Sequence, residues 1–283
     1  MAAPAGVSPT SLVSPTSLVS PTSLADLISR IQDGAQLALP PDNSLSPVAA
    51  AIALARSGRR GLRLVGVPIS GLAADLLIGS GAVASIETSA VTLGEAGLAP
   101  CFTRHLAEGR LEVTDSTCPA LHTSLQAAEK GVPFLPLRGV LGSDLVPHRP
   151  DWRVIDSPFS ETPDPILLVP ALSPEIALLH AVLADEEGNL WIGRRRELAT
   201  LAHAAYRTLA TVEALVTGNL LDDERMAPGV LPAVYVETVA LVPGGARPLA
   251  CLDRYDSDPL AIDAYARAAR TQAGFDAWLA AQP

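Results

Sequence analysis

Apolar residues in this chain fall in short runs cut by Gly, Pro and Asn, with small or charged segments between them. The sharpest case is Pro165–Gly193. An apolar run, Ile166–Leu172, is broken by Ser173-Pro174-Glu175. A second run, Ile176–Ala184, meets the acidic turn Asp185-Glu186-Glu187-Gly188-Asn189, and Leu190-Trp191-Ile192-Gly193 follows. Runs of this length bounded by Pro and Gly-Asn predict buried strands and a hairpin. Further strands are predicted at Ala35–Leu39, Leu62–Val67, Ala82–Glu87, Leu111–Val113, Val132–Leu137, Thr211–Val216 and Val234–Val242. Helices are predicted between them: from the cap Ser23 to Gly34, then Val48–Ser57, Ala73–Gly79, Leu98–Glu108, Cys118–Lys130, Arg194–Ala210 and Tyr265–Ala281. Pro47 suits the first turn of the second helix, with Ser46 as its cap. This alternation predicts a single α/β domain over residues 23–283, a mostly parallel sheet with helices on both faces. The Gly-, Pro- and Asp-rich stretch Arg138–Ser160 reads as a functional or covering loop.

Residues 1–22 break the pattern. SPTSLV occurs at Ser8–Val13 and Ser14–Val19, and SPTSLA at Ser20–Ala25. Pro in every copy excludes a helix or a central strand, so a disordered low-complexity leader is expected. The chain has 283 residues, 48% of them hydrophobic, enough for a sizeable core. Its net charge of −10 argues against nucleic acid or an anionic membrane as a general partner. No apolar run nears the roughly 20 residues of a spanning helix. Three cysteines, Cys101, Cys118 and Cys251, argue against a disulfide framework and for a reduced cytoplasmic setting.

Several groups could carry chemistry. Cys101-x3-His105 and Cys118-x3-His122 resemble two helical ligand pairs, but neither has the tight Cys-x2-Cys knuckle of a zinc site, and no metal is expected. Neither a Gly-x-Gly-x-x-Gly nor a Walker loop is present. Ser70-Gly71, after the strand Leu62–Val67, lies where ligands of parallel sheets bind, beyond the strands' carboxyl ends. Glu87 and Glu95 flank the next such loop, and either could act as a base or nucleophile. Arg194-Arg195-Arg196 could face solvent, a partner chain or a phosphate. His180 and Asp185 are an odd number of residues apart, so a regular strand points them to opposite faces. His180 is therefore expected to be a hydrogen-bonded core residue, and Asp185 to set the Gly188-Asn189 turn.

A family resemblance rests on pieces spread from Leu24 to Tyr265: the helix ending IQDG, the strand LRLVG, DLLIGSGAV, GLAPCFTRHLAEGRLEV, GVPFLPLRGVLGSDL, ALLHAVLADEEGN, and VPGGARP followed by DRYDSD. In order and spacing the chain resembles the α-type subunit of family I coenzyme A transferases, of the glutaconate or 3-oxoacid kind. The resemblance implies a NagB/RpiA/CoA-transferase-like fold, an acyl-CoA thioester and a carboxylic acid as substrates, and no bound cofactor. It also implies a β-subunit partner, as α2β2, whose glutamate attacks the thioester. No Ser-Glu-Asn-Gly nucleophile motif occurs in this chain, and Glu187-Gly188-Asn189 is the hairpin turn of the α half. Where many members carry a glycine loop, this sequence has Leu39-Pro40-Pro41-Asp42-Asn43-Ser44, and Pro offers no N–H to an oxyanion. Asn43, Ser44, Ser70 and Gly71 are the expected substrate-binding residues. Related pairs on this scaffold cleave carbon–carbon bonds in ring-derived CoA thioesters. Under that alternative Glu95 is the expected catalytic base. A non-catalytic ligand-binding module is a further alternative.

Overall fold

The computed structural model describes residues 21–283, so the first two repeat copies and most of the predicted leader lie outside the described residues, while the third copy runs into the first helix. In chain order the elements are α1 (Leu24–Ser29), β1 (Gln36–Leu39), α2 (Val48–Arg56), β2 (Leu62–Gly66), α3 (Leu72–Gly79), β3 (Val83–Thr88), α4 (Pro100–Ala107), β4 (Glu112–Asp115) and α5 (Cys118–Glu129). Then come β5 (Phe134–Leu137), β6 (Arg153–Asp156), β7 (Pro165–Pro170), β8 (Ile176–Ala184), β9 (Leu190–Trp191) and α6 (Arg196–Ala204). The chain ends with β10 (Arg207–Leu215), β11 (Val230–Leu231), β12 (Thr238–Leu241), α7 (Pro259–Ala268) and α8 (Gln272–Ala280).

The predicted α/β architecture is present. Strands β12, β10, β8, β1, β2, β3 and β4 lie side by side, all parallel. The antiparallel pair β9–β11 extends the sheet beside the far end of β8. Alternation along the strands divides the core. Leu37, Leu39, Leu62, Leu64, Ile176 and Leu178 pack with α1–α4, α7 and α8. Ala38, Val65, Ala177, Leu179, Ala210 and Val212 pack with α5 and α6 on the other face. Side chains at successive strand positions point to opposite faces, so both faces must be apolar when both are covered.

Ser23 caps α1 as expected: its Oγ accepts from the Asp26 amide at 3.0 Å and bonds Asp26 Oδ2 at 2.7 Å. The helix is shorter than predicted, ending at Ser29 before the chain reaches Gly34. Ser46 is not the cap of α2: Pro47 holds that position without a side-chain bond, and the buried Ser46 Oγ has no partner.

Three further expectations change. The run at Ile166–Leu172 gives β7, which joins β5 and β6 in a separate antiparallel sheet rather than the main one. That sheet packs on α5 through Ala120, Val140, Trp152, Leu167 and Val169. The predicted helix Arg194–Ala210 stops at Ala204, and β10 starts at Arg207 because it pairs with β8 almost end to end. The predicted final helix is two helices, with Thr271 capping the second by accepting from the Gly274 amide at 3.1 Å.

Candidate functional site at the carboxyl edge of the sheet

The loops after β1, β2 and β3 all emerge at the carboxyl edge of the parallel strands. Their conformations are set by close packing. Gly66 lacks the Cβ that would lie 1.7 Å from Ser70 Oγ, so glycine is what lets Ser70 fold inward. Ser70 is buried, its amide donates to Ala90 O at 2.9 Å, and its Oγ lies 3.4 Å from Thr88 Oγ1. Gly71 has the same role for Asp42, whose carboxylate would stand 2.2 Å from a Cβ there. Both Asp42 oxygens lie 2.9 Å from the Leu72 amide, so a residue of the β1 loop caps α3. Burial pushes the Asp42 carboxyl up to about 6 against that hydrogen bond, with the charge of Asp75 adding to the rise.

The β1 loop is fixed from two further sides. The Leu45 carbonyl accepts from the His180 amide at 3.1 Å, and the Ala49 amide donates to Gly245 O at 2.9 Å. Leu45 is held in the left-handed region at φ 55°, which non-glycine residues rarely adopt. Between these anchors Asn43 is exposed, while Ser44 is buried and its hydroxyl donates to Glu197 on α6. The expected substrate-binding residues therefore divide: Asn43 faces the outside, and the Ser44 and Ser70 hydroxyls are engaged within the protein.

Beside Asn43 opens a cleft of about 430 Å³, lined by Pro41, Pro68 and Ile69 from the loops, His122 and Gln126 from α5, and Arg196, Glu197 and Thr200 from α6. Here His122 and Arg196, weighed above as metal ligand and as solvent or partner contact, meet in one wall. Glu197 was not legible as a site residue. Ser44 lies 153 positions away in the chain, and nothing local links the two.

Glu87 and Glu95 have different surroundings. Glu95 is exposed on a 3-10 turn, Gly94–Ala96. Glu87 pairs with Arg149 at 2.9 Å, and burial pushes its carboxyl up although Arg149 opposes the rise. Arg149 is itself buried. It bonds Asp151 through Nε at 2.9 Å and Nη2 at 2.8 Å, donates to Asp115 O at 3.0 Å, and lies over the Trp152 ring at 4.5 Å. The loop Arg138–Ser160 is thus a cover pinned over the ends of β3 and β4. A second cleft of about 490 Å³ lies there, between Ser89, Phe102, Leu106 and Asp115.

Farther along the same edge lies a polar network that the sequence concealed. His180 Nε2 donates to Glu213 Oε1 at 2.7 Å, since a carboxylate can only accept, and Nδ1 lies 2.7 Å from Thr211 Oγ1. Glu213 also accepts from Tyr255 OH and from the amides of Gly244 at 2.8 Å and Gly245 at 3.1 Å. Burial alone would raise the Glu213 carboxyl, but these donors outweigh it and hold it at about 2. Gly245 is required because a Cβ there would meet the His180 ring at 2.6 Å. His180 is thus the hydrogen-bonded core residue expected. Asp185 sets the hairpin turn, accepting from Asn189 N at 2.9 Å and Glu187 N at 3.0 Å, and reaches on to Leu220 N at 2.8 Å.

His180, Glu213 and Cys251 also bring ligand-type atoms within 4.8 Å of one another. Their chemistry does not favour a metal. Both His180 nitrogens are engaged, and burial together with the Glu213 charge pushes the Cys251 thiol up to about 12, away from the thiolate a metal needs. Cys101 and Cys118 lie on separate helices. Cys101 is buried with its thiol also pushed up to about 12 by burial, and His105 Nδ1 is spent on Cys101 O at 2.9 Å.

Residues 22–239 match the coenzyme A transferase family. Over 261 residues the chain is 32% identical to the A-type subunit of 3-oxoadipate CoA-transferase from Pseudomonas knackmussii, covering 88% of each sequence. It is 29% identical over 247 residues to the cholesterol ring-cleaving hydrolase IpdA subunit of Rhodococcus jostii, covering 83% of this chain and 81% of that one. The crystal structure of a cysteine-to-serine variant of the decarboxylase AibA/AibB superposes with a TM-score of 0.81 at 30% identity, covering 94% of this chain and 100% of that one. This chain belongs to the coenzyme A transferase family, among its α-type subunits.

Proposed function

We propose that the chain is the α half of a heteromeric CoA-transferase that moves CoA from an acyl-CoA thioester to a carboxylic acid. The observation that carries this reading is the match to an A-type transferase subunit over nearly nine-tenths of both chains. It is joined by a cleft at the edge where parallel sheets bind ligands. In the proposed reaction a β-subunit glutamate carboxylate attacks the thioester carbonyl and expels CoA thiolate, leaving a mixed anhydride. The thiolate attacks the glutamyl carbonyl and releases the first acid. The acceptor carboxylate then takes the acyl position by the same steps in reverse. No resident cofactor is required, and the assembly is proposed to be α2β2 and cytoplasmic.

This chain's part is to form the acyl side of the pocket. Among the described residues the amides of Asp42 and Asn43 make no intrachain hydrogen bond, so the Pro40-Pro41 loop still offers N–H groups where a developing oxyanion needs them. Asn43 contributes its side chain at the cleft mouth. Gly71 and Ser70 keep the second loop tight against it.

The test is to purify the chain alone and with a candidate β subunit of the same family, then assay transfer between an acyl-CoA and a carboxylate. Turnover only in the complex, with a borohydride-sensitive glutamyl thioester on the β subunit, is expected. Full transfer by the chain alone overturns the proposal. A second reading, ring-opening hydrolysis of a CoA thioester, is favoured by the likeness to the ring-cleaving hydrolase subunit. It predicts that Glu95→Gln abolishes ring opening in a folded complex, and unchanged turnover rejects Glu95 as the base. Release of carbon dioxide would point instead to decarboxylation.

A further inference from the structure

The Glu213 network reaches the β1 loop through backbone bonds at two points. Helix α2 starts at Val48 with Pro47 in the cap position and no side-chain cap. Its Ala49 amide donates instead to the Gly245 carbonyl at 2.9 Å, so a turn late in the chain satisfies the start of this helix. That turn hangs on one side chain. Glu213 accepts from the amides of Gly244 and Gly245, and Tyr255, which donates to Glu213, accepts from the Ala246 amide at 3.2 Å. The His180 ring, fixed to Glu213 through Nε2, fills the space beside Gly245. The amide of the same His180 donates to Leu45 O at 3.1 Å. Both anchors at the downstream end of the β1 loop, Leu45 O and Ala49 N, therefore rest on residues that Glu213 holds.

The loop needs holding. Leu45 sits at φ 55°, and a non-glycine residue keeps that conformation only where its surroundings enforce it. Just upstream stand the amides of Asp42 and Asn43, which make no hydrogen bond among the described residues. We infer that Glu213 is a positioning residue for the reaction: through the Gly244-Gly245 turn and His180 it sets the β1 loop so that the Asp42 and Asn43 amides face the developing oxyanion. The inference rests on the transfer reading above and adds the group that aligns its donors. Glu213 touches no substrate in this scheme. The upstream end of the loop is held separately, by Asp42 on the Leu72 amide and by Ser44 on Glu197. Releasing the downstream end would therefore let the loop pivot while the cleft keeps its lining. Donors aimed at a charge that exists only in the transition state act on kcat, so their displacement lowers kcat and leaves KM in place. A carboxylate is needed at 213 because both of its oxygens accept. A glutamine has one acceptor oxygen, and its NH2 cannot accept from a glycine amide.

The test uses the complex with a β subunit of the same family, assayed well below each variant's unfolding transition. Glu213→Gln should lower kcat about tenfold or more, with KM for acyl-CoA and for the acceptor acid within about twofold of wild type. Glu213→Asp keeps the charge with a shorter reach and should fall between the two; it carries the test if Glu213→Gln does not fold. Hydrogen–deuterium exchange of the same complexes reads the loop directly. Amides of residues 44–51 should exchange about tenfold faster in the variant, while those of β2 keep their wild-type rates. A wild-type kcat in the variant overturns the inference, and so does a raised KM at unchanged kcat. A fall in kcat without faster exchange at 44–51 overturns the route through the loop. If the wild-type complex transfers nothing, the transfer reading has failed, and exchange then decides the positioning separately: acceleration confined to 44–51 and the 243–246 turn supports it, and uniform acceleration along the chain overturns it.

Discussion

Two polar clusters lie along one edge of this sheet and are built in opposite ways. Around Glu213 a carboxylate, an imidazole, a phenol and two glycine amides satisfy one another in a closed network. Around Arg196 the guanidinium and the Gln126 amide face an open cleft and make no side-chain hydrogen bond among the described residues, while the neighbouring Thr200 hydroxyl turns to Glu129. A saturated buried network fixes geometry, and breaking it costs the full desolvation of whatever is left unpaired. An open set of donors costs little to keep in water and gains its partners only when a ligand arrives. Side chains capable of chemistry, His180 and Cys251 among them, are therefore structural in the first cluster. In the second, less conspicuous side chains are the ones left facing the cleft.

The comparison breaks most sharply at Glu213. Glu213→Ala should lower unfolding free energy by about 3–5 kcal/mol in urea titrations of the chain, because it strands His180, Tyr255 and two amides at once. A loss below about 1 kcal/mol would mean the network is not saturated as described. The pH dependence carries the same information. A carboxyl depressed to about 2 contributes stability that is complete above its ordinary value near 4.5 and is lost as pH falls through 2. Wild type should lose roughly 3 kcal/mol more than Glu213→Gln over that window, measured by unfolding at stepped pH.

Next in size is the pinned cover. Arg149→Met leaves Glu87 and Asp151 without their cation and should cost about 2–4 kcal/mol. Limited proteolysis should then cut first within 138–160, and cleavage elsewhere would argue against the pin. Asp42→Asn should act in the other direction. A carboxyl raised to about 6 means the folded state holds its proton more tightly than the unfolded chain does. Its charged form therefore costs stability as pH rises from 3.8 through 6. The amide should stabilise the chain by about 1–2 kcal/mol at pH 8 and by almost nothing at pH 4, read from urea midpoints. The smallest effect is expected at Ser44→Ala, under about 1 kcal/mol in stability. Its signature should instead be a changed KM for the acid acceptor as Glu197 is released into the cleft, and an unaltered KM would detach Ser44 from the site.

Strands and helices were legible wherever an apolar run was closed by Gly or Pro, as at Leu62–Gly66 and Ile176–Ala184. The reading failed where the deciding contact was distant. Arg194–Ala210 contains no breaker, and only pairing with β8 turns its end, from Arg207 on, into a strand. β7 has the apolar composition of a main-sheet strand, yet it pairs with β5 and β6 over α5. At the candidate site, the loops after β1 and β2 were legible as an edge of interest, and a cleft does open there. The direction of each hydroxyl could not be read, because Ser70 turns inward only through the missing Cβ of Gly66. Glu213 and Tyr255 are 42 positions apart, and no local spacing announces their contact.

The attachment of the β1 loop has a consequence for how this site could change over generations. Leu45 is hydrogen-bonded to the His180 amide on β8, and Ala49 to the Gly245 carbonyl, so one rim of the cleft is part of the sheet itself. Lengthening or shortening that loop would tear at the strands, and such variants would be lost before any new preference could be selected. Point substitutions at Pro41, Asn43 or Arg196 touch only the lining of the cleft. Diversification among relatives that keep these anchors should proceed by exchanging side chains around a fixed opening. A library confined to those positions should yield folded variants of altered preference far more often than one that varies loop length.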